Sequence, residues 1–245
     1  MNSEIHIFKT NDKLSKFFAE ILREESVDCA QINIALSGGN TPKKLFNFLV
    51  EKYHAKINWE KINFFWGDER CVPPKSEESN YKMALDYLLT PLKIKKENIF
   101  RIRGEVDPFE EAERYADLLK KNIVLKRGIP VFNIVMLGLG EDGHTASIFP
   151  NQVNLINDEK ITAVAVHPES HQRRITLTPT VINNAKVIVF IVTGKSKSKI
   201  VTQIIEKKTE AKNYPASLVN PGSGQLYWLL NMEAAELLDS SSKRI

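Results

Sequence analysis

Apolar and polar residues along the chain follow two repeat lengths. Short, nearly continuous apolar runs predict buried strands, whereas apolar residues spaced three and four apart predict amphipathic helices. The clearest strand is VIVFIV, residues 187–192, and the helical spacing is plain in LSKFFAEIL, residues 14–22. Strands are predicted at residues 4–8, 32–36, 62–67, 98–102, 131–137, 161–166, 173–178, 185–192 and 226–230. Helices are predicted at residues 11–25, 43–53, 80–89 and 108–124, within 193–208, and after the last strand.

The alternation of apolar strands with helices predicts an α/β fold. Strands that are apolar along their length are typical of a mostly parallel sheet with helices on both faces, in three layers. Because no Pro-, Gly- or Ser-rich linker, internal repeat or low-complexity segment interrupts the pattern, we predict a single domain over residues 1–245. Ligands of such sheets bind outside the carboxyl ends of the strands, and the unusual loops of this chain follow strands.

Composition narrows the class of protein. Of the 245 residues, 42% are hydrophobic and 26% are charged, and the net charge is +4 with scattered lysines. These values predict a globular protein without a nucleic-acid surface, although some cations could receive an anionic small molecule. The apolar runs are too short to span a bilayer, and the N-terminus does not resemble a signal peptide, so we expect a soluble, cytoplasmic protein. Cys29 and Cys71 cannot build a disulfide framework, and no pattern around Cys71 indicates a nucleophile.

The first loop with chemical character, SGGNTP, follows the strand at residues 32–36. Its glycines turn the chain, and Thr41 and Pro42 suit the N-cap and first position of a helix. Main-chain N–H groups and the helix dipole would then face the turn, which suits a phosphate group. The loop lacks the Walker A pattern, and an ordinary turn between strand and helix explains the same residues equally well.

A charged triplet, Asp68-Glu69-Arg70, follows the aromatic strand at residues 62–67. At the mouth of a sheet a carboxylate can hold a proton or orient water, and an arginine can bind an anion with its forked guanidinium. Taken alone, the triplet is better explained as a solvated turn.

The segment MLGLGEDGHTASIFP, residues 136–150, contains the letters G-x-G-x-x-G of a dinucleotide-binding turn. That fingerprint normally occupies the first strand-to-helix turn, and an acidic residue ends the next strand about twenty residues later. Here the fingerprint lies beyond the middle of the chain, and Asp158 and Glu159 precede the next predicted strand. The match to a dinucleotide site is therefore weak.

Asp142 and His144 lie in the same segment, and in an extended loop their side chains can face the same way. A carboxylate beside an imidazole fixes its tautomer and raises its basicity, which makes a general base for water. The pair could instead bind a metal, with His167 and His171 as a second pair. Pro168 makes a shared helical face for that second pair unfavourable, and no cluster resembles a zinc site, so we predict no metal.

Basic residues follow in the segments RRITLT and VTGKSKSK. Arg173 and Arg174 enter a predicted strand, and Lys195 and Lys197 follow the apolar strand at residues 187–192. Both segments could supply cations to the same sheet edge as the Ser-Gly-Gly turn. Each alone would be an ordinary basic surface stretch.

Together these segments resemble the 6-phosphogluconolactonases, within the wider family that also holds glucosamine-6-phosphate isomerase/deaminase. The matching pieces are LSGGNTP, FFWGDERCVPP…SNY, MLGLGEDGHTASIFP, RRITLTPTVIN, VTGKSK and PASLV, in family order over nearly the whole chain. The resemblance implies a modified Rossmann-like fold and hydrolysis of 6-phospho-D-glucono-1,5-lactone to 6-phosphogluconate, the second step of the oxidative pentose phosphate pathway. It implies a small-molecule sugar-phosphate lactone as the partner and no metal or other cofactor. We expect no nucleic-acid or membrane partner, and a monomer or small homo-oligomer.

Residue 149 separates the two branches of that family. The deaminase branch must open a sugar ring and move protons, and it carries a glutamate five residues after the histidine of D-G-H. This chain has Phe149 there, which favours the lactonase, since a lactone needs only activated water and a stabilised oxyanion. A sugar-phosphate-sensing regulatory domain is another reading. Such a protein would normally carry a DNA-binding helix-turn-helix segment, whereas this chain begins almost directly with its first strand.

The resemblance, combined with the chemistry above, predicts the residues that carry the reaction. His144 is the general base for water, and Asp142 orients it. Asp68 lines the pocket and positions water or sugar hydroxyls. Either Arg70 or main-chain N–H groups stabilise the oxyanion.

The 6-phosphate is expected on the turn formed by Ser37, Gly38, Gly39 and Thr41, with help from two cations. Arg174 is preferred to Arg173 because it immediately precedes the I-T-L-T run, as the family arginine does. Lys197 is preferred to Lys195 because it matches the family spacing G-x-x-K.

Overall fold

The computed structural model describes residues 3–152, 155 and 160–239, which form an α/β structure. The strands in chain order are β1 (Ser3–Phe8), β2 (Ile32–Leu36), β3 (Ile62–Trp66), β4 (Asp68–Arg70), β5 (Leu125–Lys126), β6 (Ile129–Pro130), β7 (Ile134–Leu137), β8 (Thr162–Val166), β9 (Arg173–Leu177), β10 (Val187–Val192) and β11 (Gln225–Asn231). The helices are α1 (Asn11–Asp28), α2 (Asn40–Tyr53), α3 (Asn80–Ala84), α4 (Pro108–Asn122), α5 (Pro179–Ile182) and α6 (Ser198–Ile205), and a π-helical turn at Leu85–Leu89 extends α3.

The main sheet has six strands in the order β1, β11, β10, β7, β2, β3, and all neighbouring pairs are parallel. Strands β3, β7 and β10 are buried along their whole length, as their continuous apolar sequences predict. The mostly parallel α/β fold predicted from the sequence is therefore confirmed. No helix in the described part of the chain is long and apolar enough to cross a membrane.

The strand order contains a reversal between β2 and β7. The chain moves from β1 through β2 to β3 in one direction, and from β7 through β10 to β11 in the other. Since crossovers between parallel strands are right-handed, the two directions put the connecting segments on opposite faces of the sheet. Helices α1 and α2, which connect strands in the same direction, pack together. The crevice outside the carboxyl ends of β2 and β7 is the point where such folds bind ligands.

A second, antiparallel sheet of three strands stands beside this crevice. Its order is β4, β9, β8, and Arg70 of β4 lies directly opposite Arg174 of β9. Helix α4 packs against β8 and β9. The short sheet thereby connects the charged triplet after β3 with the basic segment that begins β9.

Parts of the predicted secondary structure were wrong. Residues 98–102 form no strand but only one isolated bridge, between Ile99 and Phe64. The main-chain N–H of Arg103, which follows the segment, donates to the Glu111 carboxylate and not to a strand. Residues 232–239 form turns instead of the predicted C-terminal helix. Asp158 and Glu159, which were considered as a dinucleotide contact, lie outside the described residues.

Candidate active site

A cavity of about 210 Å³ lies at the crevice between β2 and β7. It adjoins a recess of about 500 Å³ beside the first turn of α2, and the two share Gly38, Gly138, Leu139 and Lys197. Residues from separate loops meet in the cavity: Ser37, Gly38, Asp68, Arg70, Asn80, Gly138, Leu139, Gly140, His144, Ala146, Arg174 and Lys197. The predicted residues Gly39 and Thr41 line the recess. Asp142 lines neither the cavity nor the recess, but its carboxylate contacts the His144 ring.

The turn between β2 and α2 leaves the start of the helix open to the recess. Gly39 is the N-cap residue at φ +105°, a conformation that favours glycine, and no side chain caps the helix. Thr41 was predicted as the N-cap, and this was wrong because the chain is already helical at Asn40. The Thr41 hydroxyl instead lies 2.8 Å from that of Thr193. Main-chain N–H groups at the start of α2 are thus available to an anion.

The Asp68 carboxylate is held in a fixed orientation at the wall of the cavity. It is buried, and its Oδ2 accepts a hydrogen bond from the Ser147 hydroxyl at 2.7 Å. The Asn80 amide donates to the Asp68 main-chain oxygen at 2.9 Å, and a Cβ at Gly38 would collide with the same amide. Asn80 therefore links the Asp68 loop to the turn before α2.

Unlike its neighbours Asp68 and Arg70, Glu69 does not line the cavity. It points away from the cavity, as alternation along a strand requires, and it is buried. Its carboxylate accepts hydrogen bonds from the main-chain N–H groups of Arg70, Asn80 and Tyr81 and from the Ser79 hydroxyl. Burial raises the pKa of Glu69 although these main-chain donors act to lower it.

The sequence placed Glu69 in the charged triplet but indicated no separate role for it, and Asn80 and Ser147 were not predicted as site residues. The alternation that separates Glu69 from Asp68 depends on β4, whereas residues 68–70 were predicted as a turn after the strand at residues 62–67. The positions of Asn80 and Ser147 depend on contacts between distant loops, for which the chain carries no local pattern.

Glycines allow the loop after β7 to fold tightly beneath His144. A Cβ at Gly140 would collide with the His144 ring and the Asp142 carboxylate. Gly143 has φ +83°, and a Cβ there would collide with Tyr214. These requirements account for the glycines at positions 140 and 143 without a dinucleotide contact.

Asp142 and His144 form a hydrogen-bonded pair. His144 Nδ1 lies 2.5 Å from Asp142 Oδ1, and the His144 main-chain N–H donates to the same oxygen at 3.1 Å. Partial burial acts to raise the pKa of the Asp142 carboxyl, but the hydrogen bonds and charge of His144 hold that pKa below its ordinary value. An ionised Asp142 favours a proton on Nδ1 of the imidazole, which leaves Nε2 to accept a proton.

Arg70 and Arg174 bring two guanidinium groups to the cavity. Arg70 Nη1 donates to the Glu78 main-chain oxygen at 2.6 Å, and the buried Nε atoms of both arginines have no hydrogen-bond partner among the described residues. Burial and then the charge of Arg70 lower the pKa of Arg174. Arg173 lies over the ring of Phe109 and does not line the cavity. Two adjacent cations with free donors favour an anionic ligand.

Lys197 and Lys195 project from one 3₁₀ turn, Lys195–Lys197, in different directions. Lys197 lines both the cavity and the recess, and its Nζ lies 3.6 Å from Glu141 Oε1. Lys195 is 77% exposed and pairs with Glu236 at 3.2 Å. Only Lys197 of the two is placed to contact a ligand in either space.

Phe149 fills the space behind His144. Its ring is fully buried, with its centroid 4.8 Å from that of His144 and 5.1 Å from that of His167, and the Arg174 guanidinium lies 5.6 Å from it. His167 Nδ1 accepts hydrogen bonds from main-chain N–H groups of its own turn.

No group of three His, Cys, Asp or Glu side chains in the described ranges could hold a metal ion. Burial raises the pKa of the Cys71 thiol to about 11, which keeps this cysteine protonated at neutral pH.

The chain is similar to proteins of one family over most of its length. A family model described as glucosamine-6-phosphate isomerases/6-phosphogluconolactonase matches residues 9–228. The 6-phosphogluconolactonase of Haemophilus influenzae is 42% identical over 222 residues, which cover 89% of this chain and 94% of that protein. The solved structure of the devB protein is 40% identical with a TM-score of 0.92, and the match covers 97% of this chain and 100% of that one. The 6-phosphogluconolactonase structure from Trypanosoma brucei is 31% identical with a TM-score of 0.84, covering 97% and 99%. The family resemblance read from the sequence is confirmed.

Proposed function

The chain belongs to the glucosamine-6-phosphate isomerase/6-phosphogluconolactonase family, and we propose that it hydrolyses 6-phospho-D-glucono-1,5-lactone to 6-phospho-D-gluconate in the oxidative pentose phosphate pathway. The observation that carries this proposal is the contact of 2.5 Å between Asp142 and His144, because His144 lines the cavity that adjoins the open start of α2. The proposed general base and the proposed anion site therefore line adjoining spaces that share four residues.

His144 is the proposed general base. With its Nδ1 proton held by Asp142, Nε2 takes a proton from water while the water oxygen forms a bond to the lactone carbonyl carbon. The carbonyl oxygen becomes the oxyanion of a tetrahedral intermediate. When that intermediate collapses, the bond from the carbonyl carbon to the ring oxygen breaks, and the proton on Nε2 passes to the leaving oxygen. The products are a carboxylate, after loss of its acidic proton, and a free hydroxyl.

The oxyanion is stabilised either by Arg70 or by main-chain N–H groups, and such donors typically contribute about 3–4 kcal/mol. Arg70 is supported by its place among the residues that line the cavity. Asp68, fixed by Ser147, is proposed to position water or sugar hydroxyls.

The 6-phosphate is proposed to lie on the turn of Ser37, Gly38, Gly39 and Thr41. The uncapped N-terminus of α2 supplies main-chain donors and a favourable dipole. Lys197 supplies a charge from the wall shared by the cavity and the recess, and Arg174 supplies a second from the cavity. We propose that the reaction needs no metal or other cofactor, and that the protein is a single domain, is cytoplasmic and is a monomer or small homo-oligomer.

Deamination of glucosamine-6-phosphate is the alternative within the family. Phe149 argues against it, because a buried aromatic ring occupies the position where that branch carries a carboxylate. A regulatory protein that only senses sugar phosphates is less well supported, since sensing alone does not require an imidazole paired with a carboxylate.

A coupled assay tests the proposal. Freshly made lactone is supplied with 6-phosphogluconate dehydrogenase, and the appearance of reduced nucleotide is followed with and without a chelator, after subtraction of spontaneous hydrolysis. We expect enzyme-dependent turnover that the chelator leaves unchanged. Ammonia release from glucosamine-6-phosphate, or ligand binding without turnover, would instead support the deaminase or the sensor.

A further inference from the structure

A carboxylate lies on the wall of the recess in which the proposed function places a dianionic phosphate. Glu141 lines this recess together with Gly39, Thr41 and Lys197. Its Oε1 lies 3.6 Å from Lys197 Nζ. Glu141 therefore occupies one of the directions from which a phosphate oxygen would approach the lysine.

Glu141 is ionised at neutral pH. A hydrogen bond from Ser196 and the charge of Lys197 lower the pKa of its carboxyl. Its side chain is 66% exposed, whereas that of Lys197 is 21% exposed. The pair is thus formed between a solvated carboxylate and a lysine that is held in the wall, and the carboxylate is the partner that can move away into water.

Resting on the proposed function, we propose from this arrangement that Glu141 sets the affinity of the phosphate site: it weakens phosphate binding by competing for Lys197. The bound phosphate takes the Lys197 ammonium, and the Glu141 side chain is displaced into solvent. When the product leaves, the Glu141 carboxylate pairs with Lys197 again, which lowers the free-energy cost of removing the product phosphate from Lys197.

Weaker phosphate binding is compatible with efficient catalysis here. The 6-phosphate does not react, so the site binds it equally in the substrate, the transition state and the product. Such uniform binding does not lower the barrier of the chemical step. A very tight phosphate site would retain the product. Glu141 limits this retention without contact to the reacting carbonyl.

The alternative is that Glu141 positions Lys197, in which case its removal would loosen the lysine and weaken binding. The substitution Glu141→Gln separates these readings because it keeps the size of the side chain and removes its charge. Equilibrium binding is measured calorimetrically with 6-phosphogluconate, and with inorganic phosphate as a second probe, in about 50 mM salt, where the Debye length exceeds 10 Å.

We expect Glu141→Gln to bind 6-phosphogluconate about two- to fivefold more tightly than wild type, as the energy of an exposed ion pair implies. The gain should shrink as salt is raised. Steady-state inhibition by product should strengthen by a similar factor.

Glu236→Gln is the matched control. Glu236 pairs with Lys195, which lies on the same 3₁₀ turn as Lys197, and both Glu236 and Lys195 lie outside the cavity and the recess. The substitution removes the same charge, so the affinity for 6-phosphogluconate should stay within about twofold of wild type. Equal or weaker binding by Glu141→Gln, or the same gain in Glu236→Gln, would overturn the inference while leaving the proposed function intact. A wild type that binds neither ligand and turns over no lactone would overturn both.

Discussion

The His144 imidazole lies directly over Gly140, at a distance that no side chain on residue 140 would allow. The same glycine makes room for the Asp142 carboxylate, so the contact between the two functional side chains depends on a residue that has no side chain itself. Gly138, in the same loop, carries no such constraint, because the nearest atom to a Cβ there is the Ser37 hydroxyl at 3.8 Å.

Gly140→Ala should therefore reduce lactone turnover by about 100-fold or more, comparable to the loss of a positioned general base. The added methyl group displaces the imidazole or separates it from Asp142. The measurement is kcat in the coupled assay, with circular dichroism to establish that the variant is folded.

Gly138→Ala is the comparison for this prediction, and its loss should stay within about tenfold, since its Cβ meets only ordinary van der Waals contact. Equal losses in the two variants would show that His144 does not need the close approach at Gly140.

At the scale of elements, the buried Glu69 carboxylate joins β4 to the start of α3. It collects main-chain donors from Asn80 and Tyr81, and Asn80 in turn contacts the Asp68 loop. Since burial raises the pKa of Glu69 above its ordinary value of 4.5, the folded protein holds this proton more tightly than the unfolded chain does. The resulting contribution to stability is fully present below about pH 4.5 and is lost as the pH rises through the raised pKa.

Glu69→Gln should lower the free energy of unfolding by about 1–3 kcal/mol at about pH 4, because main-chain donors lose acceptors. The difference from wild type should become smaller at about pH 8, since only wild type carries the cost of ionising the buried carboxyl. Urea denaturation at both values measures this, with exposed Glu97 changed to Gln as the control. A difference that grows with pH would contradict the raised pKa.

The elements that sequence reasoning predicted well are those set by local pattern. The continuous apolar run of β10 and the helical spacing of α1 needed no distant contact. The segment at residues 98–102 has strand-like composition, but the main-chain N–H that follows it, that of Arg103, donates to the Glu111 carboxylate and not to a strand. Threonine is a residue type that favours the N-cap position, yet the helix already begins at Asn40, and Gly39, at a positive φ, is its N-cap residue. Both errors arise where a tertiary contact or a glycine conformation overrides local preference.

At the scale of the whole molecule, the strand reversal between β2 and β7 gathers loops that are far apart in the chain. Lys197, which follows β10, and the turn after β2 reach the same cavity from opposite sides of the reversal. The family order of the motifs predicted that these loops act together. The contact of Lys197 with Glu141, by contrast, is visible only in the folded chain.

A ligand that joins these loops should stabilise the molecule as a unit. At about 100 times its Kd, 6-phosphogluconate should raise Tm by roughly 5–10 °C. At the same ligand concentration Lys197→Ala should show a smaller shift because its affinity is lower, whereas Lys195→Ala should keep the full shift. Differential scanning fluorimetry measures this, and an unreduced shift in Lys197→Ala would remove Lys197 from the ligand site.

If His144 activates water for lactone hydrolysis, the substitution His144→Ala should remove most of the turnover. Initial rates are taken at low lactone concentration and short times, with the uncatalysed rate subtracted, and exposed His54 changed to Ala serves as the control. We predict that kcat falls by about 100- to 10,000-fold in a folded His144→Ala protein, while His54→Ala keeps wild-type turnover. Near-normal turnover by folded His144→Ala would show that His144 is not the general base.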